Sequence, residues 1–243
     1  MSRYKAFIYH LLLSCLGGAA LLLLCWLVWY PAPMLEAIGG QEIFLLILGV
    51  DITLGPLLTL VVFSTQKKSL KFDLAVVALL QVSALVYGVE TLLEARPVYV
   101  AADGESFEVI QAPSVSPIIL AKANASLPWW GPKWVGTRAP EGRYDTDAVN
   151  DLRKIGAGPG HLPQLHIPYA EMRERILSNA KPISDLKALH PEKIPAIEQW
   201  LMRHDQTDAS VVYQPIKINV SSYVVMLDAK TAEPVGIAPF TAQ

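Results

Sequence analysis

One carboxylate stands in the middle of an apolar run: Asp51, in GVDITLGPLLTLVVF at residues 49–63. A charge inside hydrocarbon is costly, so such a group normally faces a bundle interior and marks a functional contact. Counted from Phe63 at 1.5 Å per residue, Asp51 lies about 18 Å deep. The same depth on the next apolar run, counted from Phe72, falls near Ala84. Gln81 and Tyr87 flank it by about one turn, so either can hydrogen-bond the acid. Two readings stay open. Asp51 is a structural acid, protonated and bonded to a neighbouring helix, or it receives a polar or cationic group from a partner's membrane helix. Ion conduction is a weaker third, because no other charge is buried with it. Gly55-Pro56, one turn on, bends the run and permits close helix approach, either as a packing kink or as a groove for a partner helix. Ala84 and Gly88 add a small-xxx-small pair on the following run.

Other chemistry finds little support. An intramembrane aspartyl dyad needs two carboxyls close enough to share a proton. Asp73, however, lies at the edge of its apolar run, where an acid suits a helix N-terminus. His161 and His166 are five apart with Pro163 between, which is not the i,i+4 spacing of a helical zinc pair. No serine sits in a GxSxG elbow, and neither cysteine lies in the C-terminal half. Gly156-Ala157-Gly158-Pro159-Gly160 lacks the Lys-Ser/Thr of a phosphate loop. Asn124-Ala125-Ser126 matches a glycosylation acceptor that carries no meaning in a bacterium. The reading is therefore a non-enzyme without cofactor or metal.

The elements that position Asp51 are three apolar runs at residues 6–30, 43–63 and 72–93. Each exceeds the ~18 residues that a helix needs to cross a bilayer core of about 30 Å. The chain is 52% hydrophobic with 17% charged residues, yet everything after Arg96 reads as a water-soluble domain. A net charge of -2 gives no footprint for nucleic acid. Arg3 and Lys5 precede the first run and Lys67, Lys68 and Lys71 fill the loop after the second. The loop at residues 31–42 has acids only, Glu36 and Glu42. Basic loops stay cytoplasmic, so these five residues set the topology: N-terminus inside, C-terminal half outside, in the periplasm of a bacterium. Trp26, Trp29 and Tyr30 suit the outer aromatic belt. The first run is too long for a signal h-region and stays as an anchor. Cys15 and Cys25, about 15 Å apart along one helix, cannot pair within the chain.

The expected fold is thus a membrane protein with three N-terminal transmembrane α-helices (1–95) followed by a C-terminal α+β extracytoplasmic domain (96–243). In that domain strands at 98–101 and 107–110 flank the turn pair Asp103-Gly104. Trp129, Trp130 and Trp134 sit in a proline-rich loop that reads as ordered, more core plug than binding surface. Helices are expected over 147–155, 169–179 and 191–204. Strands follow at 210–220, 223–227 and 234–237, joined by the N-terminal hairpin in one sheet.

WYPAP at 29–33, GVDITLGPLLTLVVF at 49–63 and KFDLAVVALLQVSALVYG at 71–88 resemble the TfpX/TfpZ type IV pilin accessory proteins. The resemblance is close over roughly the first hundred residues and loose beyond. It implies a non-catalytic factor of the bacterial inner membrane, with membrane lipid around its helices. Its partner would be a major pilin, with inner-membrane pilus assembly components as further contacts. A pilin's apolar helix carries an acid and a free N-terminal amine, which makes Asp51, Gly55, Pro56, Gln81 and Tyr87 the expected contact residues. The alternative is a membrane-tethered periplasmic sensor, or a helper of another envelope system.

The orientation has a direct test. Alkaline phosphatase fused after the C-terminus is expected to be active, and the same fusion at Ser69 inactive; the reverse pattern would overturn the topology.

Overall fold

The computed structural model describes residues 2–219 and 221–242. In chain order the first half contains α1 (Arg3–Leu24), α2 (Met34–Ala37), α3 (Gly40–Gly49), α4 (Gly55–Val62) and α5 (Leu70–Ala95). Wide π turns at Cys25–Trp29 and Val50–Leu54 extend α1 and join α3 to α4. The result is three helices long and apolar enough to cross a membrane: Arg3–Trp29, Gly40–Val62 and Leu70–Ala95. Two compact units divide the chain, Met1–Pro31 with Gly39–Arg96, and Ala32–Ile38 with Pro97–Gln243.

In the first unit the helices meet through glycines. A Cβ on Gly18 would collide with Leu48, and one on Gly88 with Ile47. Such contacts let packing, rather than hydrophobicity, hold helices together in lipid. At the end of α5 the helix leaves carbonyls without intrahelical donors. The Tyr30 hydroxyl donates to the Leu92 carbonyl at 2.6 Å and Arg96 Nη1 to the Leu93 carbonyl at 2.6 Å. This corrects the aromatic belt: only Trp26 is exposed there, while Trp29 and Tyr30 are buried, turned inward by the π turn. At the other end of α5, Asp73 lies in the first turn, accepts from Ser69 Oγ at 3.3 Å and pairs with Lys67.

The second unit is built on one mixed sheet. Its strands are β1 (Pro97–Ala102), β2 (Phe107–Gln111), β3 (Lys133–Thr137), β4 (His166–Pro168), β5 (Lys181–Pro182), β6 (Val211–Ile218), β7 (Ser221–Asp228) and β8 (Pro234–Ala238). They lie in the order β4-β3-β1-β2-β6-β7-β8, with β5 also on β6. The β1–β2 hairpin turns at Gly104, whose φ of 96° favours glycine, and β2 joins β6 in parallel. The N-terminal hairpin and C-terminal strands therefore do form one sheet. Strand β1 is buried throughout because both faces are covered, which is why it reads as the unbroken apolar run PVYVAA.

Helices α6 (Pro117–Lys122), α7 (Gly142–Lys154), α8 (Arg173–Asn179), α9 (Ile183–Leu189) and α10 (Ile194–Arg203) complete the unit. On one face Val100, Ala102, Phe107, Ile216, Val225 and Leu227 pack with Met172 and Ile176. On the other, Ile183, Leu186, Ile197 and Leu201 of α9 and α10 cover Tyr213, Val224 and Met226. Trp134 joins the first core, 5.8 Å from Phe107 and 6.0 Å from Tyr169 between ring centroids. Trp129 and Trp130, at 60% and 74% exposed, do not; the tryptophan loop is split between core and surface. The pattern also hid α6, β3, β4, β5 and α9, all short. The strand expected over 210–220 ends at Ile218, and Val220 lies outside the described residues.

Strands β2 and β5 share one edge of β6, at Ile216–Lys217 and Val212–Tyr213 respectively. Gln214 stands at the gap, fully buried. Its amide donates to the carbonyls of Gly104 at 3.0 Å and Ile176 at 2.9 Å, tying hairpin turn and α8 to the sheet.

The linker between the first two long helices belongs to this unit. Met34 of α2 is 2% exposed and sits in the core of the first sheet face, with Ala37 and Ile38 beside it. Truncating a buried methionine removes both transfer energy and packing, at about 2–5 kcal/mol. Met34→Ala is therefore expected to lower the unfolding midpoint of the C-terminal domain in the full-length detergent-solubilised protein. Met34→Leu should restore most of it. An unchanged midpoint in Met34→Ala would remove the linker from the core.

Candidate functional site

The site forms where the second long helix breaks. Pro56 has no N–H to donate, and the chain responds with the π turn at Val50–Leu54. In this wider register the N–H of residue i reaches the carbonyl of residue i−5. The carbonyl that residue 56 would satisfy is that of Asp51. Gln81 Nε2 of α5 donates to that carbonyl instead, at 3.3 Å. The Asp51 carboxyl has the same amide in its surroundings, with His10 of α1 as a further polar neighbour. Thr53 donates its hydroxyl to the Gly49 carbonyl within the turn.

Gly55 makes the crossing possible. A Cβ there would land on the Gln81 amide, whose Nε2, Cδ and Oε1 are the nearest atoms. One turn further, Thr59 is 4% exposed and its hydroxyl meets His10 Nδ1 at 2.6 Å. Asp51, Gly55 and Thr59, spaced i, i+4, i+8, thus form one polar stripe that α1 and α5 reach from two sides. Asp51 itself is half-buried.

The structure brings Asp51, Gly55, Pro56 and Gln81 together and leaves Tyr87 apart. Tyr87 is 73% exposed, and among the described residues its side chain makes no hydrogen bond to Asp51. Six residues on from Gln81, it is turned about 120° away from it around α5, whereas Gln81 reaches Asp51. His10 and Thr59 escaped the sequence reasoning. The available signal was a histidine interrupting the first apolar run and a threonine eight residues after Asp51. Among the basic residues, Arg3 lies over the Tyr4 ring at 5.5 Å, Lys67 pairs with Asp73, and Lys5, Lys68 and Lys71 are exposed.

In the second unit the glycine loop after α7 already holds an anion of its own. Gly158 N–H donates to Glu108 Oε2 at 2.9 Å, and Lys217 donates to the Gly156 carbonyl. The loop borders a cavity of about 510 Å³ with Arg138, Arg153 and Arg175 at its walls. His161 Nδ1 stands 3.7 Å from Glu108. His166 bonds the Gly160 carbonyl at 2.8 Å and packs edge-on against Tyr99 at 4.6 Å. Burial lowers the His166 pKa and holds the ring neutral, and burial raises that of Tyr169, whose hydroxyl donates to the Ala232 carbonyl. The two histidines have separate partners, and among the described residues no three His, Cys, Asp or Glu side chains gather as a metal-ligand set.

The chain is similar to proteins of Dichelobacter nodosus. It is 27% identical over 229 residues to "Fimbrial assembly protein, serogroup E1", covering 90% of this chain and 88% of that one. It is 30% identical over 183 residues to "Fimbrial assembly protein, serogroup I", covering 72% and 70%. With "Fimbrial assembly protein, serogroups C1 and C2" it shares 37% identity over 103 residues, 42% of this chain and 79% of that one. No family model matches the chain, and no solved structure matches it.

The Gln81 crossing is open to a double-mutant cycle. A hydrogen bond between membrane helices is worth about 0.6–2 kcal/mol, so Gln81→Ala is expected to lower the unfolding free energy in detergent by that much. Gly55→Ala, which displaces the same amide, should add little once Gln81 is already Ala. Additive losses would mean that Gly55 and Gln81 act independently.

Proposed function

Because the chain belongs to the fimbrial assembly protein family, we propose that it is a non-catalytic pilin accessory protein that supports type IV pilus assembly from the bacterial inner membrane. In this reading it is of the TfpX/TfpZ kind, with its N-terminus in the cytoplasm and residues 97–243 in the periplasm. Its partner is a major pilin, and the contact is made in the membrane beside Asp51.

The observation that carries the reading is the Asp51 turn. The carbonyl of Asp51 is engaged by Gln81, and the carboxyl, with the same amide and His10 nearby, is half-buried rather than sealed. A pilin's apolar helix brings the complementary problem, a free amine and an acid that hydrocarbon disfavours. Pairing the amine with Asp51 relieves both charges at once. The five basic residues Arg3, Lys5, Lys67, Lys68 and Lys71 support the orientation, since basic loops remain cytoplasmic. The placement of the 32–38 linker in the same unit as residues 97–243 is consistent with both facing the periplasm.

Removing one member of a buried charged pair costs about 3–5 kcal/mol, whereas a protonated structural acid tolerates its uncharged isostere. Asp51→Asn is therefore expected to leave the protein in the membrane at parental levels while sharply reducing photo-crosslinking to pilin and surface piliation. Parental crosslinking and piliation would make Asp51 a packing residue and end the groove hypothesis.

A further inference from the structure

Trp129 and Trp130 form a surface patch. Both indoles are exposed, at 60% and 74%, on a loop bounded by Pro128 and Pro132 and turned at Gly131, whose φ is 56°. The loop is nonetheless tied down. Tyr99 of β1 donates its hydroxyl to the Ser126 carbonyl at 3.4 Å, and Leu120 and Leu127 pack against the core around Val98 and Val135.

The sheet register says which end of the domain this is. Strand β1 begins at Pro97, directly after Arg96, the residue that caps α5. Strand β3 runs parallel to β1 with Tyr99 beside Lys133. The two strands therefore start at one edge of the sheet, the edge at which Pro97 follows Arg96, and the Trp129–Trp130 loop leads directly into β3 there. Strand β2 ends at the same edge, Gln111 opposite Pro97, and leads into α6, whose Ile118 is 69% exposed. Lys122 and Lys133 are exposed on the same two segments.

We propose that Trp129, Trp130 and Ile118 form a lipid-binding rim that rests in the headgroup layer of the bilayer, with Lys122 and Lys133 at the phosphates. Tryptophan prefers that layer because its ring is apolar and its N–H is polar, and lysine adds attraction to anionic lipid. The rim fixes the tilt of the domain over the membrane. It is independent of the pilin reading and of Asp51.

The test uses the full-length protein in phosphatidylcholine–phosphatidylglycerol vesicles with and without brominated acyl chains, compared with Trp129→Ser/Trp130→Ser. The difference in fluorescence between parent and variant belongs to these two indoles. It is expected to lose most of its intensity with brominated lipid and little with aqueous iodide. Quenching by iodide but not by brominated lipid would place the loop in water and overturn the proposal. Trp130→Ser alone, at the more exposed position, gives the same reading should the double variant fail to fold.

Discussion

A missing hydrogen on Pro56 organises the membrane half. Proline at a helix interior deprives a carbonyl of its donor, and in hydrocarbon no water can replace it. The chain answers by widening one turn, which moves the deficit to Asp51, and by importing a donor from another helix, Gln81. The import requires that no side chain stand at position 55. Pro56, the main-chain carbonyl of Asp51, Gln81 and Gly55 are therefore a single device, and a side chain at position 55 or the loss of the amide at 81 disturbs it. The main-chain obligation is met by Gln81, whose amide also neighbours the Asp51 carboxyl.

The same economy of donors governs the other unit. Two strands compete for one edge of β6, and neither covers Gln214. Its amide bridges the carbonyls of a turn and a helix from opposite sides, where a hydrophobic residue would leave both short of a partner. The glycine loop after α7 is finished in the same way, with Glu108 filling the cradle of Gly158.

What the sequence disclosed follows from the length scale of each signal. The long helices need about twenty apolar residues each, and nothing else in the chain imitates that. The β1–β2 hairpin was legible through Asp103-Gly104, and β6 to β8 through β-branched runs. Short elements without such a signal were not: β4 and β5 contain prolines, and α9 hides between Pro182 and Pro191. The three tryptophans share a composition but not a fate. Trp134 falls on a strand whose neighbours Phe107 and Tyr169 come from distant segments. At the Asp51 turn, depth matching found Gln81 but could not assign rotation about the helix axis, so Tyr87 looked equivalent. His10 carries no local signal of its role, because its partner Thr59 is 49 residues away.

Met34 reaches a core whose other members, such as Val225 and Leu227, are formed by the far end of the chain. In a free polymer, closing so long a loop would be governed by its length. Here residues 39–96 form two helices long and apolar enough to cross a membrane, and Ile38 and Pro97 at their two ends lie in the same compact unit. The linker is thereby held at high effective concentration near the domain it completes, as a tethered ligand would be. Pairing of those two helices is then itself a folding step for the domain beyond them: a chain in which they failed to pair would synthesise every residue of the sheet and still lack a side chain of its core.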